Sequence, residues 1–77
     1  MTHTEIKDQC EALGLQVTQT HDTGRKSFNA IGKNIRVYWS TSYEGGLLGL
    51  PRVNVNGKDT HARSLKEIKY LRNLSSP

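Results

Sequence analysis

The sequence has little of what makes most small domains recognisable. It holds a single cysteine, Cys10, so no internal disulfide can form, and it reads as a chain for a reducing compartment. No apolar run approaches the ~20 residues needed to cross a bilayer. The opening stretch through Lys7 lacks the apolar core of a secretory leader. A cytoplasmic location with no membrane association is therefore expected. Aromatic residues are scarce, with one Trp, one Phe and three Tyr, and only 34% of the 77 residues are apolar. A chain this short needs nearly every large apolar side chain for its core, which leaves few for an apolar ligand pocket.

Catalytic constellations are missing as well. Asp8, Asp22, Glu44 and Asp59 show no paired spacing suited to acid–base work. His3, His21, His61 and Cys10 match no zinc-ligand spacing. Cys10 falls on the apolar stripe of a helix, where a thiol behaves as a small hydrophobe rather than a nucleophile. Gly45, Gly46 and Gly49 are not followed by the Lys-Ser or Lys-Thr of a phosphate-binding loop. The expectation is no catalysis, no cofactor and no metal.

Acid is also in deficit: seven Asp and Glu face eleven Lys and Arg, for a net charge of +4. Such a balance favours nucleic acid or an acidic protein surface as partner. With no repeat, linker or low-complexity tract, residues 1–77 read as one domain, with a core over about 4–74 and a frayed tail at 75–77.

Thr2 and Glu5 have the spacing of a capping box, and Ile6, Cys10 and Leu13 recur on one helical face before Gly14, a C′ glycine. Leu15–Thr20, Lys26–Ile31 and Ile35–Thr41 read as strands, the last with Ile35, Val37 and Trp39 inward and Arg36, Tyr38 and Ser40 outward. Tyr43–Pro51 reads as a flexible apolar loop whose Leu47, Leu48 or Leu50 plugs the core edge, with docking to a partner as the sharper alternative. Arg52–Asn56 returns to strand, and Asn56-Gly57 signals a type I′ hairpin. That hairpin either runs through Lys58 to His61 or gives way early to a helix. Ser64 and Glu67 form a second capping-box spacing that starts the last helix.

On that helix Leu65, Ile68, Leu71 and Leu74 step through a broad apolar arc. Arg63, Lys66, Lys69 and Arg72 take the same step as a cationic spine. The expected fold is α+β: an N-terminal helix, three or four antiparallel strands and a C-terminal helix, with both helices on one sheet face. The other face would then present Gln16, Thr18, Thr20, Ser27, Asn29, Arg36, Tyr38, Ser40, Arg52 and Asn54, and no carboxylate.

The helix–strands–helix order, with Gly24 ahead of basic residues and Phe28, loosely resembles the double-stranded-RNA-binding domain. The resemblance covers element order alone. That family's basic cluster at its second helix is matched poorly by Lys58, Arg63 and Lys66, and its Gly-Pro-x-His loop is absent. The leading functional expectation is binding of nucleic-acid backbone through Arg63, Lys66, Lys69 and Arg72, assisted by Arg36, Arg52 and Tyr38. The alternative, from another class, is a small module of the phage or mobile-element kind that binds and inhibits or scaffolds a protein. It would use the polar sheet face and the loop residues Tyr43, Leu47 and Leu48.

Overall fold

Thr2 opens the first helix as its sequence requires. Its side chain accepts from the Glu5 amide at 3.1 Å, while the Glu5 carboxylate takes the Thr2 amide at 2.9 Å. The computed structural model, which describes residues 1–75, continues from this cap as helix α1 (His3–Ala12). Gly14, at φ +81°, turns the chain out of the helix, and the Leu15 amide folds back onto the Cys10 carbonyl. Five strands follow: β1 (Gln16–Asp22), β2 (Arg25–Gly32), β3 (Ile35–Thr41), β4 (Arg52–Val55) and β5 (Lys58–His61). Helix α2 (Leu65–Leu74) ends the fold.

The strands form one antiparallel meander in the order β1-β2-β3-β4-β5. This is one strand more than the upper expectation. Asn56 at φ 52° and Gly57 at φ 87° supply the two left-handed positions of a tight hairpin, and that turn carries the chain into β5 instead of helix. The register places Val17, Ala30, Val37 and Val53 in one inward row, next to Thr60 on the edge. Ile6 and Cys10 from α1 and Ile68 from α2 pack over this row, so both helices cover the same sheet face. The Gln9 side chain also donates to the Leu65 carbonyl, tying one helix to the other.

Four local expectations need correction. Leu74 is 51% exposed, not core, because each three-residue step falls about 60° short of a full turn and the fourth leucine has rotated off the sheet. The same drift turns Arg72 toward the sheet, where it is half-buried, so the four cations of the spine do not share one line. Ser75 is not frayed: it is buried, and its hydroxyl donates to the Arg72 carbonyl at the helix end. Positions 76 and 77 of the expected tail lie outside the described residues. Ser64 does cap α2, accepting from Glu67, but the Glu67 carboxylate bonds the Arg63 amide instead of closing a box on Ser64.

Candidate binding surface

With both helices on one side, the opposite sheet face is left to solvent. Two cross-strand rows organise it. Thr18, Asn29, Tyr38, Arg52 and His61 form one, and Gln16, Ile31, Arg36, Asn54 and Asp59 form the next. Residues in such rows stand about 5 Å apart, so Arg52 lies beside Tyr38 across the β3–β4 pair, and Arg36 is its neighbour two positions along the strand. Every expected sheet-face residue is on this surface, but the surface is not free of carboxylates. Asp59 enters through β5, and Asp22 comes from the extended end of β1. Both are occupied: Asp59 accepts from the Asn54 side chain at 3.0 Å, and Asp22 accepts from Ser27 at 2.9 Å.

Tyr38 is fixed at the centre by a chain of hydroxyls. Ser40 donates to the Tyr38 oxygen at 3.3 Å, and the Tyr38 and Ser27 hydroxyls lie 3.3 Å apart. Because Ser27 gives its only proton to Asp22, the Tyr38 hydroxyl must donate to Ser27, and the chain ends on a carboxylate. Ser27 and Ser40 are buried on what would otherwise be an open face, each within hydrogen-bond reach of the Tyr38 hydroxyl. The alternation of β3 in the sequence points to Tyr38 but not to this support, which depends on strand register.

The loop between β3 and β4 completes the surface. It is not a loose crossover. The Ser42 amide bonds the Gly46 carbonyl, the Leu48 amide bonds the Ser40 carbonyl, and Tyr43 reaches the Asp22 carbonyl with its hydroxyl at 2.9 Å. The leucines divide between the two sides. Leu47 bridges to Thr41 and packs against the core, as the core-plug reading expects. Leu48 and Leu50 turn the other way and remain 48% exposed, lining a shallow cleft of about 600 Å³ on the open face. Arg25, Arg36 and Arg52 line the same cleft. Sequence reasoning misses Leu50 and Arg25 as members of this group; the only available signal is the count of leucines in one short loop.

The cations sort by type. Arg25, Arg36 and Arg52 occupy the open face, whereas every lysine lies on the helices, in turns or on the helix side of the sheet. Among the described residues the only ion pair is Arg25 with Asp22, at 3.9 Å, so Arg36 and Arg52 have no carboxylate partner there. The α2 cations are elsewhere: Lys66 and Lys69 are exposed on the helix, on the far side of the sheet from Tyr38. The structure therefore does not bring Arg63, Lys66, Lys69 and Arg72 together with Arg36, Arg52 and Tyr38.

The remaining chemistry-bearing groups lie in the interior or stay apart. Burial pushes the Cys10 thiol up to about 12, far from thiolate formation at neutral pH. Among the described residues, no group of three or more His, Cys, Asp or Glu side chains converges, and no helix is long and apolar enough to cross a membrane. No family model matches the chain, and neither a curated protein nor a solved structure is significantly similar to it.

Proposed function

We propose that this protein is a non-catalytic binding module that docks an acidic, partly apolar surface of another protein onto its open sheet face. One observation carries the reading. A core this small has use for every leucine, yet Leu48 and Leu50 are turned out beside Arg25, Arg36 and Arg52, in a cleft that Tyr38 also lines. Tyrosine and arginine are enriched at protein interfaces and lysine is depleted, and the face follows that composition. Tyr38 is already held by two hydroxyl contacts of 3.3 Å, so contact with it forfeits less entropy than contact with a free side chain.

The second reading is attachment of nucleic-acid backbone to α2, supported by Lys66 and Lys69, which are exposed and without an ion pair among the described residues. One set of variants separates the two. A stoichiometric protein partner captured from cell extract should be lost with Arg36→Glu/Arg52→Glu and with Leu48→Asp, and kept with Lys66→Glu/Lys69→Glu. Labelled duplex and single-stranded oligonucleotides should show no saturable binding at low salt. Saturable oligonucleotide binding that disappears only in the Lys66→Glu/Lys69→Glu variant would replace the first reading with the second.

A further inference from the structure

The two edges of the sheet differ in how they are protected. β5 is four residues long and carries Lys58 and Asp59, a short charged edge of the kind that discourages pairing. β1 is seven residues long, has no lysine or proline, and is exposed at every position but Val17. A two-residue turn closes β1 onto β2 at the Asp22–Arg25 pair. Antiparallel alternation then commits the backbone groups of Gln16, Thr18, Thr20 and Asp22 to β2 and points those of Val17, Gln19 and His21 outward. The same alternation is visible on β3, where the Ser40 carbonyl faces away from β2 and accepts from Leu48.

A second cleft, of about 290 Å³, lies on the helix side and reaches this edge, since the consecutive residues Val17, Thr18 and Gln19 all line it. Phe28 and Val17 give it an apolar wall, Lys7 and Lys26 give it charge, and no carboxylate lines it. We propose that the β1 edge takes an extended segment of a partner protein as an added antiparallel strand. One apolar side chain of that segment enters the cleft, and acidic side chains on the same face meet Lys7 and Lys26. Main-chain hydrogen bonds hold the strand, and alternate side chains select it. A second copy of this chain fits less well. Symmetric pairing would bring Val17, Gln19 and His21 over the cleft, while Asp22, its only acid in β1, belongs to the other face. This edge is separate from the open face, and the proposal is independent of the reading above.

The test is fluorescence polarisation with a labelled, acetylated peptide Thr-Glu-Thr-Val-Thr-Glu-Thr. Its controls are the same peptide with Lys in place of Glu and the acidic peptide with alternate amides N-methylated. Saturable binding of the acidic peptide is expected, at least tenfold weaker for either control and at least tenfold weaker with Lys7→Glu/Lys26→Glu. Gln19→Pro, which removes an outward amide, should weaken binding while circular dichroism stays unchanged. If that variant does not fold, the N-methylated peptide on the unaltered protein still separates main-chain pairing from side-chain attraction. Arg36→Glu/Arg52→Glu should leave peptide binding as it is. Absence of saturable binding, equal binding of the N-methylated peptide, or loss of binding in Arg36→Glu/Arg52→Glu would each overturn the proposal. So would a dimer in sedimentation equilibrium that dissociates with Gln19→Pro, which would make the occupant a second copy.

Discussion

His3 looks like a stray surface residue in the sequence, yet its Nδ1 accepts the Trp39 indole N–H at 2.9 Å and its ring lies 4.3 Å from that of Phe28. Accepting at Nδ1 requires that nitrogen to be unprotonated. Burial, then the nearby charges of Lys7 and Lys26, lower the His3 pKa from its ordinary value of 6.5. The folded state thus binds this proton less readily than the unfolded state. The stability linked to neutral His3 is full above about pH 6.5 and declines as pH falls from there through the depressed value. Thermal melts followed by Trp39 fluorescence should show a midpoint that drops between pH 7 and pH 5. In His3→Gln the slope over that window should flatten, with a lower midpoint at pH 7. A wild-type midpoint that is level across the window would dissociate the imidazole from stability. Thirty-six residues separate the two partners, so no local pattern could have paired them.

At the scale of elements, the two helix caps look alike in sequence and differ in space. Thr2 and Glu5 satisfy each other's amides, whereas Ser64 serves Glu67 and Glu67 serves Arg63. Thr2→Ala and Ser64→Ala should each destabilise by about 1 kcal/mol. Double-mutant cycles in chemical denaturation should then reveal stronger coupling for Thr2 with Glu5 than for Ser64 with Glu67. Equal coupling would mean that the second box closes in solution. Caps, the Asn56-Gly57 turn and the alternation of β3 were legible because each is set by residues within a few positions of one another. The fate of residues 58–61 was not. Their polarity, Lys-Asp-Thr-His, fits an edge strand or a helix start, and pairing with β4 decides between them. That one undecided element hid Asp59, one of the two carboxylates on a face expected to have none. The direction of each loop leucine was equally hidden, because it depends on the Leu48 amide finding the Ser40 carbonyl across the chain reversal.

Taken whole, the molecule separates packing from contact by sheet face, and that separation can be measured through stability. Val37 is fully buried beneath the helices, while Leu48 and Leu50 are each 48% exposed on the other side. Burying a leucine completely contributes about 1.5–3 kcal/mol, so a half-exposed one supports the fold by roughly 0.8–1.5 kcal/mol. Val37→Ala leaves a cavity under two helices and should cost about 2 kcal/mol or more. Leu48→Ser and Leu50→Ser should each lower stability by about 1.5 kcal/mol or less, and the double variant should aggregate less at high concentration because its exposed apolar patch is smaller. Urea unfolding resolves the difference, since midpoint shifts at constant slope report stability alone. If Leu48→Ser or Leu50→Ser alone destabilised as strongly as Val37→Ala, that leucine would belong to the core. The open face would then keep its arginines and Tyr38 but lose part of the apolar component that favours a protein partner over a purely electrostatic one.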